Sequence, residues 1–334
     1  MPLPTTYRKL VARKLSRNFR DAAEIIEVPM PTPAPNEILV KNLFAGVNAS
    51  DVNISAGVYF TNPTLPFDLG VEAAGEVVAV GAEVTALKVG DHVITTGLGG
   101  GYREYQTAPA SLVIPVPQAS AELLAVSISG LTASMTLEIA GEMKSGETVL
   151  ITGAAGGAGQ FAVQLAKQAG NHVIGITSTD AKAALLKRLG CDRAINYKRE
   201  DLNAVLQAEY PNGIDLIYEN IGGEVFDICM ANIAKRGRCV VSGFISEYLT
   251  GAVSVTAPRI YHTLLWKSAT LRGFLFSDYV SQIPEHMGKM LSAFGAGTIQ
   301  AVVDPTEFRG VESIVNAVEY MHAGKNAGKV VVRF

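Results

Sequence analysis

The stretch VLITGAAGGAGQFAVQLAKQAG, residues 149–170, places strand-forming residues before a glycine-rich turn and an amphipathic segment. Gly153, Gly156 and Gly159 follow the apolar run TVLIT directly. The apolar residues after them recur at helical spacing: Phe161, Ala162, Leu165, Ala166 and Ala169. Between a strand and a helix, such glycines permit a tight turn, let the backbone approach a pyrophosphate, and let helix and strand pack closely. We therefore predict a dinucleotide-binding turn.

Two other interpretations of the glycines were weighed. A Walker phosphate loop requires Lys and then Ser or Thr after the last glycine, whereas Gln160 and Phe161 stand there. That interpretation is rejected. A glycine-rich turn that binds nothing is the structural alternative, and the strands around the turn argue against it.

Six compact apolar strands alternate with helix-length segments: TVLIT, HVIGIT, AINY, IDLIYEN, RCVVSGF and TLRGFLF. This alternation predicts a doubly wound parallel sheet. Up to about residue 122, short Val and Ile runs separated by Pro and Gly predict a small antiparallel β domain. After a helix near 280–295 the chain returns to mixed character, and we expect this segment to lie against the first domain. The predicted limits are 1–123, 124–296 and 297–334.

Composition narrows the class of partner. The chain has 334 residues, 48% hydrophobic and 18% charged, with a formal net charge of -3. A chain of this kind buries a large core, and it lacks the basic surface that nucleic acid or an anionic membrane requires. The basic N-terminal segment lacks the apolar core of a secretory signal. Three irregularly spaced cysteines suit neither a disulfide framework nor a structural zinc site. We expect a cytoplasmic protein with a small-molecule partner.

The end of the second sheet strand indicates which dinucleotide binds. An NAD-binding protein places Asp or Glu there to hold the ribose hydroxyls. Here the strand runs into Thr177, Ser178 and Thr179, which leave room for a 2′-phosphate, and Lys182 lies close enough to neutralise it. The pattern favours NADPH. The alternative is that Asp180 holds the ribose, although it lies past the loop at an expected helix N-cap.

Six segments along nearly the whole chain resemble the medium-chain dehydrogenase/reductase superfamily: AGVNASDVNISAG, PFDLGVEAAGEVVAVGAEVTALKVGDHV, the glycine turn, GCDRAINYKRED, YENIGGEVFD and GKNAGKVVV. The phrases CDRAINYK, GFISEY and GKNAGK are similar to the zinc-free quinone oxidoreductase and alkenal/one reductase group, in its 15-oxoprostaglandin 13-reductase branch. The resemblance implies an α/β fold with a GroES-like, mostly β catalytic domain and a Rossmann doubly wound parallel-sheet domain that binds NADPH.

The resemblance also predicts that no metal is bound. Zinc-dependent alcohol dehydrogenases of the superfamily place a Cys where this chain has Asn48, and a His-Glu pair where it has Val71 and Glu72. Zinc prefers thiolate and imidazole ligands, which Asn and Val do not supply. Without a Lewis acid we expect conjugated acceptors as substrates, because their developing charge spreads onto a distal oxygen that hydrogen-bond donors can stabilise.

The cofactor contacts implied by the resemblance follow position by position. Those at the pyrophosphate are Gly156, Gly157, Ala158 and Gly159. Those around the 2′-phosphate are Ser178, Lys182 and Tyr197. Those near the ribose and along the nicotinamide half are Asn220 and the loop from Ser242 through Phe244 and Ile245 to Tyr248. Those that offer backbone groups to the carboxamide are Phe274, Leu275 and Phe276, and Asn326 would close the site.

Each of these side chains also has an ordinary structural interpretation. Tyr197 and Asn220 could be a strand-end aromatic and a turn residue, and Lys182 could be a solvated charge on a helix. Phe274 and Phe276 could equally be core residues, although backbone contacts to a cofactor would not depend on their side chains.

Proton delivery points to hydroxyl side chains. Hydride addition to a β carbon leaves an enolate that must be protonated at the α carbon. Tyr59, in SAGVYFTNP, is the first candidate, and Tyr248 and Asn48 follow as groups that polarise the carbonyl, together with the cofactor's ribose hydroxyl. A tyrosine in a β domain is also a common packing residue. For Glu72 we expect a structural hydrogen-bonding role.

Residues 244–269 form a longer connection than two adjacent sheet strands require. Its apolar content, including Trp266, indicates a wall for a hydrophobic substrate. A plain helical connection is the alternative.

We therefore predict an NADPH-dependent, zinc-independent reductase that transfers hydride to the β carbon of α,β-unsaturated carbonyl compounds, with 15-oxo lipids among the candidate substrates. An NADPH:quinone oxidoreductase is the nearest alternative, and a non-catalytic NADPH-binding protein is the alternative from another class. We expect a homodimer paired through the edge strand TLRGFLF, which would otherwise be open, and neither nucleic acid nor membrane as a partner.

Overall fold

A computed structural model describes residues 3–253 and 258–334. The chain divides into two compact units: residues 1–128 together with 303–334, and residues 129–302. We call them the β unit and the parallel-sheet unit. The domain limits predicted from the sequence, at 123/124 and 296/297, stay a prediction.

The strands of the described residues are β1 Thr6–Ala12, β2 Ala23–Pro29, β3 Glu37–Gly46, β4 Phe67–Asp68, β5 Glu72–Val80, β6 His92–Thr96, β7 Tyr105–Pro109, β8 Val113–Val116, β9 Thr148–Ile151, β10 His172–Thr177, β11 Arg193–Asn196, β12 Ile214–Glu219, β13 Ile233–Val241, β14 Thr270–Gly273, β15 Phe308–Arg309 and β16 Val331–Arg333.

The α-helices are α1 Phe19–Ala22, α2 Asp51–Ser55, α3 Ala121–Ala125, α4 Leu131–Met135, α5 Gly159–Gln168, α6 Asp180–Arg188, α7 Leu202–Glu209, α8 Gly223–Ala231, α9 Tyr261–Lys267, α10 Ile283–Gly295 and α11 Ile314–His322. Between α3 and α4, and after α4, the helical run continues as π-helical turns at Val126–Gly130 and Thr136–Ala140. This run, Ala121–Ala140, is the one described helix long and apolar enough to cross a membrane, and 72% of its most apolar stretch is buried, as in a core helix.

The β unit holds two sheets. One has the order β2-β1-β4, and the other has the order β15-β16-β3-β5-β6-β8, with β7 also paired to β3. The long strands β3 and β5 pair antiparallel, and their inward side chains join those of β6 in an apolar cluster that contains Ile38, Val40, Val77 and Val93. This packing buries a row of branched side chains, the usual source of stability in such sheets.

The C-terminal strand completes the larger sheet. β16 pairs antiparallel with β3 in the register Val331↔Gly46 and Val332↔Ala45, and the amide of Val47 donates to the carbonyl of Val330 at 3.0 Å. Just beyond this ladder, Lys329 lies beside Asn48, and their side chains are joined by a hydrogen bond. Two segments about 280 residues apart in sequence thus meet through backbone pairing.

The parallel-sheet unit confirms the doubly wound sheet predicted from the sequence. Its strand order is β11-β10-β9-β12-β13-β14, and every ladder is parallel. β9 lies at the centre of the order, where the direction of winding reverses, and the turn after it is the predicted glycine turn. Such switch points, at the carboxyl ends of parallel strands, are where open α/β sheets bind ligands.

The long connection between β13 and β14 is partly helical. A 3₁₀ turn covers Ile245–Glu247, and α9 precedes β14. On α9, Leu265 and Trp266 are exposed, the latter by 75%. The predicted substrate wall over 244–269 stays a prediction, and its residues 254–257 lie outside the described residues.

Candidate functional site

The glycine turn has a backbone that only glycine suits at two positions. Gly153 has a φ of 58°, in the left-handed region that favours glycine. At Gly159 a Cβ atom would lie 2.7 Å from the Cα of Ala154. Because this distance is shorter than any ordinary carbon contact, α5 can approach the turn after β9 only without a side chain at its first residue. The first and third glycines therefore have the roles that the sequence predicts.

The start of α5 presents backbone donors that the protein does not use. Among the described residues, the amides of Gly157, Ala158 and Gly159 have no protein acceptor, while Gly156 N donates to Gly153 O at 2.9 Å. Unpaired amides at a helix N-terminus attract anions, because they combine free N–H groups with the positive end of the helix dipole. This donor set fits the diphosphate of a dinucleotide.

The residues predicted to surround a 2′-phosphate come from neighbouring strand ends. β10 and β11 pair in the register Thr177↔Asn196, so Ser178 and Tyr197 follow equivalent positions, and Tyr197 N donates to Thr177 O at 3.1 Å. The side chain of Tyr197 is 42% exposed. Lys182 lies in the first turn of α6, with its backbone amide donating to Thr179 Oγ1. The geometry brings these residues to one edge of the sheet.

Asp180 is held away from a ribose-binding role. The residue that caps α6 is Thr179, and Asp180 is the first helical residue, not the N-cap that the sequence led us to expect. Its carboxylate accepts from Asn196 Nδ2 at 2.7 Å and pairs with Arg199 at 2.9 Å. With both oxygens engaged by protein groups, Asp180 is a weak candidate for a ligand of a ribose 2′-hydroxyl.

Asn220 ties three segments together at the carboxyl end of β12. Its backbone amide donates to Thr152 Oγ1 at 2.8 Å, and its side-chain amide donates to Thr152 O at 3.1 Å. Its carbonyl accepts from the amide of Ile245 at 3.0 Å. Asn220 therefore joins the residue before the glycine turn to the predicted nicotinamide loop, and its implied contact with the ribose stays a prediction.

Glu219, which the sequence analysis did not single out, supports the same junction. Its side chain is fully buried, and Oε1 accepts from the amides of Ile221 at 2.6 Å and Gly222 at 2.7 Å. Burial raises the pKa of this carboxyl, and the backbone donors act in the opposite direction. The carboxylate thus fixes the turn that leads into α8.

The predicted nicotinamide loop is ordered by an aromatic pair. Phe244 and Tyr248 pack edge to face with ring centroids 4.9 Å apart, and the amide of Phe244 lies 3.4 Å from the Tyr248 hydroxyl. Tyr248 is buried, whereas Phe244 is 46% exposed. Ser242 N donates to Glu219 O at 2.9 Å, so this loop leaves β13 beside the end of β12. The contribution of Tyr248 to catalysis stays a prediction.

The segment after β14 has one buried aromatic residue and two more exposed neighbours. Phe274 is buried and stacks on Tyr279 at a centroid distance of 4.7 Å, and its amide donates to Val241 O. Leu275 is exposed, and Phe276 is half-buried at the start of a 3₁₀ turn. The side chain of Phe274 is thus a core residue, and the implied backbone contacts of the segment stay predictions.

In the β unit, Asn48 belongs to a buried polar cluster that we call the ammonium cluster: Asn48, Glu72, Ser127 and Lys329. The Lys329 ammonium pairs with Glu72 Oε1 and donates to Asn48 Oδ1 at 2.7 Å. Asn48 Nδ2 donates to Glu72 Oε1 at 2.9 Å and to Gly46 O at 3.3 Å. Glu72 Oε2 lies 2.6 Å from the Ser127 hydroxyl. Glu72 therefore has the hydrogen-bonding role expected of it, and one amide hydrogen of Asn48 is directed to Glu72 while the other is directed to Gly46 O.

Asp51 and Tyr102 extend the cluster into the interior. Asp51 Oδ2 accepts from the backbone amide of Asn48 at 2.8 Å and from the Tyr102 hydroxyl, and both side chains are buried. Burial raises the pKa of Asp51 to about 7, although these two hydrogen bonds and the Lys329 charge act to lower it. The other carboxyl oxygen, Oδ1, is buried and has no hydrogen-bond partner among the described residues.

Tyr59 lies at the surface of the β unit. Its ring is 42% exposed, and its hydroxyl accepts a 3.4 Å hydrogen bond from Asn53 Nδ2 on α2. A phenol that accepts in this way keeps its own proton for donation. Asn326 lies in the turn before Lys329, where its side-chain amide donates to Gly328 O at 2.9 Å.

Comparisons with known proteins agree with the two-unit architecture. Residues 34–118 match the model of the alcohol dehydrogenase GroES-like domain, and residues 157–309 match that of the zinc-binding dehydrogenase. The mouse prostaglandin reductase-3 is 44% identical over 339 aligned residues, which cover 99% of this chain and 90% of that protein. A probable quinone oxidoreductase of Leishmania amazonensis is 40% identical over 99% of both chains.

The chain belongs to the medium-chain dehydrogenase/reductase family, in its prostaglandin reductase and quinone oxidoreductase group. The GroES-like and Rossmann-type fold predicted from the sequence is thereby confirmed. The crystal structure of Escherichia coli quinone oxidoreductase complexed with NADPH superposes with a TM-score of 0.85, at 26% identity, over 98% of this chain and 100% of that one.

The zinc implied by the description of the second family model does not fit the residues present. The candidate donors are an asparagine amide and one carboxylate, and that carboxylate is already paired with an ammonium group. Within residues 3–253 and 258–334, no group of three or more His, Cys, Asp or Glu side chains is arranged to hold a metal ion. Zinc sites in proteins use thiolate, imidazole and carboxylate ligands, and a neighbouring ammonium opposes the metal charge.

We predict a pH-dependent effect of Asp51→Asn on stability. Because the pKa in the folded state lies above its ordinary value, the folded state retains a proton that the unfolded state loses, and the resulting stabilisation disappears as the pH rises towards 7. Asparagine does not titrate. Between the ordinary pKa of 3.8 and about 7, the unfolding free energy of the variant relative to that of the wild type should therefore increase with pH, by at most about 1.4 kcal/mol per pH unit.

Urea unfolding at several pH values measures this difference. The exposed Asp278→Asn is the matched control, and it should shift the curves equally at every pH. A difference for Asp51→Asn that does not depend on pH would contradict a raised pKa.

Proposed function

We propose that the chain is an NADPH-dependent, zinc-independent reductase that transfers hydride to the β carbon of α,β-unsaturated carbonyl compounds. The observation that carries the proposal is the row of amides at Gly157, Ala158 and Gly159, which have no acceptor among the described residues and begin a helix at the switch point of a parallel sheet. Relatives named prostaglandin reductase-3 and quinone oxidoreductase support the reaction class.

NADPH is the coenzyme that the sheet edge favours. Ser178, Lys182 and Tyr197 gather at the ends of β10 and β11, while Asp180 is occupied by Asn196 and Arg199. A carboxylate free to hold the ribose 2′-hydroxyl would favour NADH, whereas hydroxyl groups and a lysine tolerate and attract a phosphate. The crystal structure of the E. coli quinone oxidoreductase is a complex with NADPH, which supports NADPH as the coenzyme of this chain.

Bound NADPH would supply the hydride, and the protein would supply position and protons. The α5 amides and the residues at the ends of β10 and β11 would hold the diphosphate and the 2′-phosphate, while Asn220 keeps the turn and the nicotinamide loop in register. Tyr59 is the proposed proton donor to the substrate α carbon, because its hydroxyl is accessible and keeps its proton. We assign a carbonyl-polarising role to Tyr248 and to Asn48, whose amide would exchange its long 3.3 Å hydrogen bond to Gly46 O for one to the substrate oxygen.

Quinone reduction is the second candidate. An enone and a quinone both place developing charge on a conjugated oxygen, so one site serves either reaction. The relatives named quinone oxidoreductase favour this activity, and prostaglandin reductase-3 favours an unsaturated lipid. The exposed apolar residues of α9 suit a hydrophobic substrate of either kind.

Turnover of a defined panel tests the proposal. The purified protein is mixed with NADPH and, separately, with a simple alkenone, a 15-oxo lipid and a quinone, and the absorbance of the reduced coenzyme is followed. We expect decay with the enones and formation of the product saturated at the α,β bond. Decay with quinone alone would establish the second candidate, and no decay with any acceptor would leave a protein that only binds NADPH.

The coenzyme preference is tested by Lys182→Ala. A charge-assisted contact contributes about 1.5 to 3 kcal/mol, so the KM for NADPH should rise roughly tenfold or more while the KM for NADH changes little. Lys187→Ala, an exposed lysine near the end of the same helix, is the control and should alter neither value. Equal effects of Lys182→Ala on both coenzymes would refute the phosphate assignment.

We also propose a homodimer paired through the β14 edge. β14 ends the order of its sheet, and its residues Thr270, Arg272 and Gly273 are exposed. Leu275, two residues after the strand, is an exposed apolar side chain. An open strand edge beside apolar surface favours pairing with a second copy.

Light scattering after gel filtration tests the dimer. The wild type should have about twice the chain mass of 35.3 kDa, and Thr270→Lys should shift it towards monomer, because charges on an edge strand oppose pairing. Leu112→Lys, at an exposed leucine of the β unit, is the control. A wild type with the mass of one chain would exclude the proposal.

We also propose that the protein is located in the cytoplasm. Cys191, Cys229 and Cys239 are all free and buried, as suits a reducing compartment. Fractionation of cells that express the tagged chain tests it.

A further inference from the structure

The Lys329 ammonium is the most completely enclosed charge on the described lysines. Its side chain is 2% exposed and that of its partner Glu72 is fully buried. Removing two charges from water costs several kcal/mol each, and apolar replacements of such pairs are often equally stable. Stability alone is therefore a weak reason for a buried lysine at this position, and its contacts indicate what else it does.

The contacts of Lys329 with Asn48 and Glu72 fix the residue that lies three positions before α2. Lys329 donates to Asn48 Oδ1, and Glu72 accepts from Asn48 Nδ2, so the two charges hold opposite ends of one amide. Asp51, the first residue of α2, accepts from the backbone amide of Asn48 and in turn donates its own amide to Asn48 O at 3.1 Å. The side chain and the backbone of Asn48 are both fixed by this arrangement.

The same helix leads to the proposed proton donor. On α2, Asn53 donates to the Tyr59 hydroxyl, and the carbonyl of Asn53 accepts from the amide of Val58 at 2.9 Å. Hydrogen bonds therefore link Lys329 to Asn48 and Asn48 to Asp51, the first residue of α2, and the same helix holds Asn53, which bonds to Tyr59. All of these residues belong to the β unit.

Glycine at position 46 keeps the ammonium cluster in place. A Cβ atom on Gly46 would overlap the carboxylate of Glu72, with 2.7 Å to its Cδ. The strand β3 thus leaves room for the carboxylate at the point where β16 brings in Lys329. Backbone pairing and the missing side chain together set the geometry of the ion pair.

We infer that Lys329 is a positioning residue for the substrate half of the reaction: with Glu72 it orients Asn48 and the α2 segment that carries Tyr59. The inference rests on the proposed function, because Asn48 and Tyr59 are assigned to the substrate there. Coenzyme binding and substrate positioning then depend on different parts of the chain. Coenzyme binding depends on the parallel-sheet unit, and the orientation of Asn48 and Tyr59 depends on the ion pair of Lys329 with Glu72.

Three variants isolate the role of the charge pair. Lys329→Met leaves Glu72 buried without its partner and should lower the melting temperature. Lys329→Met combined with Glu72→Gln removes both charges with little change in volume and should recover most of that loss. Lys325→Met, at an exposed lysine four residues earlier in the same segment, is the matched control.

The expected result for the double variant is a split between substrate and coenzyme. The KM for the enone should rise, or kcat should fall, by about tenfold or more, because small displacements of reacting groups have effects of this size. The dissociation constant for NADPH, measured by fluorescence titration, should stay within about twofold of the wild type. Double-variant kinetics equal to the wild type, or a parallel loss of enone and NADPH affinity, would overturn the inference.

Asn48→Ala decides the question if the double variant does not fold. It removes the group through which Lys329 acts and leaves the pair of Lys329 with Glu72 intact. Because Asn48 is itself proposed to contact the substrate, a defect on the enone with normal NADPH binding supports the inference only together with faster exchange in residues 47–59, and unchanged enone kinetics would overturn it.

Hydrogen exchange tests the positioning role of Lys329 independently of the proposed function, because this measurement does not require turnover. Residues 47–59 should exchange faster in the folded double variant, or in Asn48→Ala, than in the wild type, while the parallel-sheet unit should not change. Wild-type protein that turns over neither enone nor quinone would reject the proposed function and leave this measurement valid. Unchanged exchange in 47–59 would reject the positioning role even if the wild type is active.

Discussion

The close approach of α5 to the turn after β9 is the constraint on which the coenzyme half of the molecule depends. At the first residue of α5 the backbone of Ala154 leaves no room for a Cβ atom, so glycine is required at position 159. That approach directs three adjacent amides without a described protein acceptor towards the carboxyl edge of the sheet. Asn220 and Glu219 then fix the neighbouring loops to the same edge by bonds to backbone groups. The unpaired amides and the ordered loops thus lie at the same edge of the sheet.

In the β unit the corresponding constraint is the buried ion pair of Lys329 with Glu72. The ammonium cluster holds this pair beside Asn48. An ammonium held by an amide and a carboxylate cannot exchange ligands with a substrate as a metal ion does. Its effect on chemistry is therefore geometric and local, and charge that develops on a substrate oxygen has to be stabilised by donors that reach it directly.

The sequence predicts most of the parallel-sheet unit because its information is local. All six strands and the glycine turn are found, since buried parallel strands are short apolar runs and the glycines follow one of them directly. The positions of Ser178 and Tyr197 follow from strand ends in the same way. Asp180 shows the limit of this method. The sequence predicts it as the N-cap of α6, whereas it is the first helical residue, and its pairing with Arg199 depends on a side chain nineteen residues further along the chain.

The ammonium cluster could not be predicted because it depends on pairing between distant strands. Lys329 meets Asn48 and Glu72 only through the register of β16 on β3, and nothing in GKNAGKVVV marks one lysine as buried and the other as exposed. The available signal was the combination of a glycine at 46 with an isolated Glu72, which indicates a carboxylate that requires space and a partner. A buried carboxylate without a metal needs a cation from the protein, and Lys329, two residues before β16, supplies it. The sequence lacks the metal ligands, and the structure contains a buried lysine. Both agree with one requirement, which is that the buried Glu72 carboxylate has a positively charged partner.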